Sequence, residues 1–461
     1  MLQYDNFYLV GIKGVAMTSL AQLLIDAGKT VIGSDVAEDF PTKTQLQRLN
    51  IPVETEFTTP LKNIDCVVYT GAHQGQQNPQ VQWAKENDIP TISHAQALAW
   101  FFNQKQGIAV CGVGGKSTVS AMIAWTLESI NLNPSFSVGV GNIPGLEKTG
   151  AWTDSPYFVA EADEYVEDPT VKNEEIIPRF HYLEPSITVC PNLKFDHPDV
   201  YRDFDHTKEI FSKFFSQTKD QLIISGDDSE LLKLAKQTDK QVITVGEQDH
   251  NDFQLVVYQA HHGHAHAAFV YQNEQYDFAL QIPGKFNALN SLMAIAAAAQ
   301  IDKEALTNHN LDQFRSTARR FENIGVINGV QCYDDYAHHP HEIQAAIEAL
   351  NQWHPEARKV VAFQSHTYSR TKELFDEFVD SFAGADEVLM TDIFSSAREK
   401  ADPTITSTKL CEAIAEKHGV KAQNLETNEK LAEYFQTQLY PGDIFLTLGA
   451  GDIYEVYQLI S

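Results

Sequence analysis

The chain has 461 residues, enough for two to four domains, each with a core of its own. Apolar residues make up 43% and charged residues 21%, as in soluble globular proteins, and the formal net charge is −28. That balance excludes an extended nucleic-acid surface or insertion into an anionic membrane, because neutralising many phosphates takes a basic face.

In chain order, the N-terminus MLQYDNFYLVGIKG passes straight into a strand without a signal-peptide pattern, which predicts a cytoplasmic protein. Residues 6–35, NFYLVGIKGVAMTSLAQLLIDAGKTVIGSD, read as one βαβ unit. A strand ends at Gly11, and Met17, Leu20, Leu23 and Leu24 recur at helical spacing. A second strand runs to Asp35. The turn is similar to a dinucleotide fingerprint, but Lys13 occupies the place of its second glycine. These residues alone allow either a phosphate site or a tight turn with no ligand.

The second strand–glycine–helix start is IAVCG followed by GVGGKST at 112–118 and VSAMIAW. With YFVAEAD (157–163) and SITVCPN (186–192) it forms a set of continuous apolar runs ending in polar residues, the pattern of parallel strands covered on both faces. Their C-terminal ends should meet at one sheet edge, so Lys116, Glu161 and Asn192 are expected to face one crevice. HHGHAHAA (261–268) lies between two strand-like runs and reads as a hairpin with exposed histidines rather than a metal site. The third start lies near ARRFE (318–322). Beyond it GVQCYDDYAHHP, RKVVAFQ, DEVLMTD and DIFLTLGAGD alternate with the helical stretches HEIQAAIEALNQW and RTKELFDEFVDSFA. Domain limits are placed near residues 105 and 315. The five cysteines are scattered without a C-x-x-C pair, which fits a reducing compartment.

GVGGKST is a shortened phosphate loop. Backbone N–H groups at a helix N-terminus attract anions, and only glycine lets the backbone come close. Lys116 would reach the β/γ-phosphates and Ser117 would place its hydroxyl on Mg²⁺. Glu161 and His197, each just past a strand end, could complete a Mg²⁺ site with Ser117, although a solvated strand end and a turn histidine account for them equally well.

Seven motifs occur together and in order: the loop 112–118, EADE (161–164), N-x-x-x-D-H (192–197), G-x-x-N-x-x-N (284–290), ARRFE, DDYAHHP (334–340) and GAGDI (449–453). As a set they resemble the Mur ligases, the ATP-dependent amide-forming enzymes of peptidoglycan precursor synthesis. The stretches GIKGVAMTSLA, FQSHTYSRT and GAGDI are similar to members that add L-alanine to UDP-N-acetylmuramate. EADEYVEDP and NLKFDHPDVY resemble members that attach a ready-made tripeptide.

The resemblance implies an α/β chain of three domains. A Rossmann-like domain (1–105) would hold the UDP-sugar at Gly11, Ile12, Lys13, Gly14 and Asp35. A central P-loop ATPase-type domain (106–315) with a parallel-rich sheet would hold ATP and Mg²⁺. A second Rossmann-like domain (316–461) would bring the amino acid or short peptide. ATP would contact Gly112, Val113, Gly114, Gly115, Lys116, Ser117 and Thr118, with Asn287 and Asn290 on the adenine and Arg320 on phosphate. Ser117, Glu161 and His197 carry over as metal ligands, Asp335 and His338 as reaction-centre groups, and Arg370 as the substrate-carboxylate contact. A monomer or weak homodimer is expected. A family member that binds nucleotide without turnover is the alternative from another class.

Four residues depart from the family pattern: Val113 for a threonine, Gly114 for a histidine or asparagine, Phe286 for a histidine, and Thr367 for the first arginine of H-R-Y-[ST]-R. The last removes half of a carboxylate clamp that threonine cannot supply.

Overall fold

A computed structural model describes residues 3–38, 40–167, 177–197, 200–261, 263–395 and 401–460. The last two residues of EADEYVEDP, Pro198-Asp199 in NLKFDHPDVY, and His262 of the His-rich stretch lie outside the described residues.

Three sheets organise the chain. The first is fully parallel, in the order Val53–Glu54, Thr30–Ser34, Asn6–Val10, Cys66–Tyr69, Thr91–Ser93. Its strand order reverses at Asn6–Val10, and open α/β sheets bind ligands at such a point. The second sheet has ten strands. At its centre Gln106–Val110 lies between Ile187–Cys190 and Tyr157–Glu161, parallel to both, with Val110 in register with Val189 and Glu161. Ile108, Ala109 and Val110 are almost fully buried, so the run is apolar on both faces, as a covered parallel strand requires. Phe253–His261 and His264–Tyr271 are neighbours in this sheet, which places the His-rich stretch at a strand-to-strand turn, with His261, His264 and His266 exposed.

The third sheet runs Glu322–Ile327, Val330–Asp335, Ile444–Leu448, Lys359–Phe363, Glu387–Thr391, Lys421–Glu426. All its pairings are parallel except the first. The stretch RTKELFDEFVDSFA, read as one helix, forms two, Tyr368–Glu373 and Phe375–Ser381, because Leu374 leaves helical backbone at φ −106°, ψ 28°.

The chain divides into two compact units. One comprises residues 1–257, 267–278 and 289–317, the other 258–266, 279–288 and 318–461. The first unit therefore contains residue 105. Its first two sheets share a continuous apolar core in which Phe102 packs edge-on against Phe158 at 5.5 Å and Phe101 against Trp152 at 5.1 Å. Polar bonds join the same parts: Ser19 Oγ lies 2.8 Å from Ser137 Oγ and donates to the Thr149 carbonyl at 2.9 Å. Among the described residues no helix is long and apolar enough to cross a membrane.

Candidate active site

The strand Gln106–Val110 opens into the loop 111–115, and the helix Lys116–Ser129 begins directly after it. Gly115 is left-handed at φ +82°, and a Cβ there would sit 2.9 Å from Asn290 Oδ1. Gly112 has φ +120°, and a Cβ there would sit 2.8 Å from the Asn192 carbonyl oxygen. Both positions need glycine for conformation and for room. Asn192, just past the neighbouring strand, grips the loop: its Oδ1 accepts from the N–H groups of Val113 (3.2 Å) and Gly114 (2.9 Å), and its Nδ2 donates to the Gly114 carbonyl (2.8 Å). Ser117 and Thr118 are buried in the first helical turn. The helix N-terminus thus presents a closely held backbone to any anion.

Lys116 folds back over this loop. Its Nζ donates to the Gly112 carbonyl at 2.8 Å and to Glu164 Oε1 at 2.9 Å, with Oε2 at 2.8 Å. Burial opposes the ammonium charge, but Glu164, Asp163 and Glu161 outweigh it and hold its pKa above the ordinary lysine value. Ser117 Oγ donates to Glu161 Oε1 at 2.9 Å, and Glu161 Oε2 accepts from Gly139 N–H at 2.9 Å. Lys116, Glu161 and Asn192 therefore meet at one strand edge, as their positions predict.

His197 is placed differently from expectation. Its Nε2 lies 3.4 Å from Glu164 Oε1 and 3.7 Å from Asp196 Oδ2, so its imidazole faces Glu164 and Asp196. Burial lowers its pKa, but Glu164 and Asp196 reverse the shift and raise it. Asp163 behaves in the opposite sense. Burial raises its carboxyl, and Arg179 (2.6 Å) with Lys116 overrides that, bringing it down to about 2. Among the described residues no cluster of three or more His, Cys, Asp or Glu is arranged to hold a metal ion.

At the N-terminal turn, Gly11 and Ile12 N–H both reach the Ser34 carbonyl, at 2.8 and 3.2 Å. Lys13 staples the turn to the segment after the second strand, donating from Nζ to the carbonyls of Val36 (2.6 Å) and Glu38 (2.7 Å). Asp35 is fully buried. One oxygen accepts from Lys13 N–H (2.7 Å), and the other accepts from Val36 N–H (2.9 Å) and lies 3.1 Å from His73 Nε2. Asp35 thus holds the turn's backbone from within. Gly14, Thr70, Ser93, His94 and Arg179 line a crevice of about 160 Å³ beside the start of the helix Val15–Asp26. His94 Nε2 donates to the Ala16 carbonyl at 3.1 Å, and burial, with help from Arg179, brings its pKa down to about 4.

The helix Lys285–Ala299 carries Asn287 and Asn290 three residues apart, hence on one face. Both are buried, and Asn287 Nδ2 donates to the Pro283 carbonyl at 2.7 Å.

In the second unit, Arg319 ties the ARRFE motif to the neighbouring strand and to GAGDI. It donates to Asp334 Oδ2 (3.0 Å) and to the carbonyls of Gly451 (3.1 Å) and Gly449 (2.5 Å). The GAGDI motif therefore serves as an acceptor for ARRFE. The Arg320 guanidinium lies 5.1 Å over the Tyr336 ring. Asp335 accepts from Phe321 N–H (2.8 Å) and Ala337 N–H (2.7 Å), and burial raises its pKa to about 6 against the pull of Arg320. His338 Nδ1 donates to the Tyr336 carbonyl at 3.0 Å, which leaves the lone pair of the neutral ring on Nε2. Arg370 stands on the short helix Tyr368–Glu373, whose N-cap Thr367 has φ +73°, ψ 138°.

Comparison with known proteins adds to this geometry. Three family models match in sequence: Mur ligase family, catalytic domain, over residues 6–106; Mur ligase middle domain over 110–298; and Mur ligase, glutamate ligase domain, over 319–451. A UDP-N-acetylmuramate–L-alanine ligase of Desulfitobacterium hafniense is 35% identical over 460 residues, covering 98% of each chain. The chain belongs to the Mur ligase family. A second relative of the same name, from Clostridium acetobutylicum, is 34% identical and covers 98% of this chain and 97% of its own. Among solved structures, UDP-N-acetylmuramate–alanine ligase from Thermotoga maritima matches with a TM-score of 0.82 at 23% identity, over 99% of this chain and 98% of that one. A murein peptide ligase from Psychrobacter arcticus matches with a TM-score of 0.69 at 22% identity, over 99% and 98% of the two chains. At these identities the structural matches show the three-domain α/β Mur ligase fold.

Two groups of this Mur ligase escaped sequence reasoning. Glu164 stands in the EADE motif, but only the folded chain shows that it, three residues after Glu161, takes Lys116. His73, which lies against Asp35, has no spacing signal at all, since 38 residues separate it from that partner in the chain.

Proposed function

We propose that this Mur ligase joins L-alanine to the lactyl carboxylate of UDP-N-acetylmuramate at the expense of ATP. The observation that carries this is the loop 112–118 with Lys116 and Ser117 at its helix start, facing Glu161 and Glu164 on the neighbouring strand end, in a chain 35% identical along its length to an alanine-adding ligase.

In this reading the carboxylate oxygen of the sugar nucleotide attacks the γ-phosphorus of ATP, the bond to the β,γ-bridging oxygen breaks, ADP leaves, and an acyl phosphate forms. The amine nitrogen attacks the acyl carbon to form a tetrahedral intermediate, its proton passes to a base, and the C–O bond to phosphate then breaks, releasing inorganic phosphate. Lys116 and the helix N-terminus neutralise the transferring group, and catalysis is mainly positioning and charge compensation. His338 Nε2 is the base we assign, with Asp335 holding its segment through the Ala337 N–H. Arg370 takes the carboxylate of the incoming amino acid. Asn287 and Asn290 read the adenine, and Arg320 meets phosphate.

Mg²⁺ fits the hard oxygen pair Ser117 Oγ and Glu161, already 2.9 Å apart, and would supply charge neutralisation of the polyphosphate. His197, whose Nε2 lies 3.4 Å from Glu164, is assigned to that carboxylate rather than to the metal. The UDP moiety is assigned to the turn Gly11, Ile12, Lys13 and Gly14 and the crevice beside Gly14, with Asp35 acting on the turn rather than on the ligand. We place the domain limits near residues 105 and 315.

The stretches EADEYVEDP and NLKFDHPDVY favour a second reading, attachment of a tripeptide in place of L-alanine, and Thr367 leaves the choice of amine open. Incubation with ATP, Mg²⁺, UDP-N-acetylmuramate and a panel of amino acids and peptides, with the nucleotide product weighed by mass spectrometry, separates the two. Failure of every amine to add mass to the nucleotide would sink both and leave a nucleotide binder.

A further inference from the structure

We infer that Glu164 is a positioning residue that parks the Lys116 ammonium inside its loop until a phosphate displaces it. This rests on the ATP-ligase reading above. An ammonium has three donor hydrogens. Here Nζ spends one on the Gly112 carbonyl (2.8 Å) and one on Glu164 Oε1 (2.9 Å), and Glu164 Oε2, which accepts no hydrogen bond, lies 2.8 Å away. Nζ is folded back between these two partners, so swinging out to a phosphate draws it off one of them. Gly112 belongs to the loop backbone and stays in place, so the partner that yields is the carboxylate, which also repels the incoming anion.

Glu164 is built for that exchange. Its side chain is 2% exposed, so it needs a cation in either state. The Tyr201 hydroxyl donates to the Glu164 carbonyl, which pins the backbone and leaves only side-chain torsions to move. A second cationic partner is at hand, His197 Nε2 at 3.4 Å from Oε1. Release of Lys116 to phosphate therefore transfers Glu164 to His197 instead of stranding it. The parked pair keeps a buried lysine charged and ordered in the empty protein, at a cost in nucleotide affinity.

The test is the affinity of the full chain for ATP with Mg²⁺, without sugar nucleotide, measured by isothermal titration. Glu164→Gln removes the competing charge at nearly constant shape. We expect ATP to bind it about tenfold more tightly than the unmodified protein, ~1.4 kcal/mol, while kcat falls because His197 loses its partner. A merely structural role for Glu164 would weaken binding, not strengthen it. Glu164→Asp keeps the charge on a shorter arm and should bind about threefold more tightly. It carries the same comparison if the glutamine variant does not fold. Affinity equal to or below that of the unmodified protein in the folded variant overturns the inference. If the unmodified protein binds ATP and loses it on Lys116→Ala while Glu164→Gln gains nothing, only the role of Glu164 falls. If neither the unmodified protein nor Glu164→Gln binds ATP, the phosphate-loop reading falls and takes this one with it.

Discussion

Asn192 holds Gly114 from both sides of its peptide unit, accepting from its N–H at 2.9 Å and donating to its carbonyl at 2.8 Å, across 78 residues of chain. One side-chain amide thus matches a backbone amide and fixes the loop before any ligand arrives. With the Val113 bond, three hydrogen bonds of about 1 kcal/mol each depend on it. Asn192→Ala should therefore lower kcat/KM for ATP by roughly a hundredfold. Asn192→Asp should do worse, because it removes the donor and sets a negative charge behind the phosphates. Steady-state kinetics with ATP varied would show this, and unchanged values would mean the loop holds its shape alone.

Lys116 and Glu164 form a buried pair, 13% and 2% exposed, so removing Lys116 leaves Glu164 with only the longer contact to His197 at 3.4 Å. Lys116→Ala should abolish product formation and also destabilise the first unit by about 3 kcal/mol. Lys116→Met combined with Glu164→Gln should recover much of that stability and none of the activity. Thermal unfolding of the single and double variants, beside a product assay, separates the charge in catalysis from the charge in folding. A fully stable Lys116→Ala would contradict the pairing.

His94 gives the first unit an acid-sensitive joint. Its folded pKa of about 4 lies below the ordinary histidine value near 6.5. Between those pH values the unfolded chain binds more protons, so stability falls as pH drops through that window, by about 3 kcal/mol at most. His94→Gln can still donate to the Ala16 carbonyl and carries no titrating group. Its thermal midpoint should drop less than that of the unmodified protein between pH 7 and pH 5. Parallel curves would show that His94 titrates normally.

Thr367 combines a lost arginine with strained backbone. A β-branched residue at φ +73° is an outlier costing about 1–2 kcal/mol. Thr367→Arg removes the β-branch and restores a second guanidinium beside Arg370. It should lower KM for L-alanine roughly tenfold or more with kcat little changed, and raise the thermal midpoint slightly. An unchanged KM would mean position 367 does not meet the amino acid.

Local chemistry alone was enough to mark the strand–glycine–helix starts, the parallel runs and the convergence of Lys116, Glu161 and Asn192. Continuous apolar runs ending in polar residues force those ends to one edge of a parallel sheet, and a glycine-rich turn before a helix has few conformations open to it. Partner choice among charges is a different matter. Which of the clustered carboxylates takes Lys116 depends on ångström-scale packing: the short loop turns Lys116 toward Glu164, while Ser117 occupies Glu161. The same holds for Asp35, whose strand-end position reads as a ligand contact but whose burial under Lys13 and His73 makes it a brace. It holds too for the adjacent arginines of ARRFE, where a positive φ at Arg319 aims one guanidinium into the carbonyls of GAGDI. Sequence pattern sets which groups arrive at an edge, because periodicity and turn chemistry are local. Tertiary packing decides which of them pair, because hydrogen bonds and burial are settled only when distant segments meet.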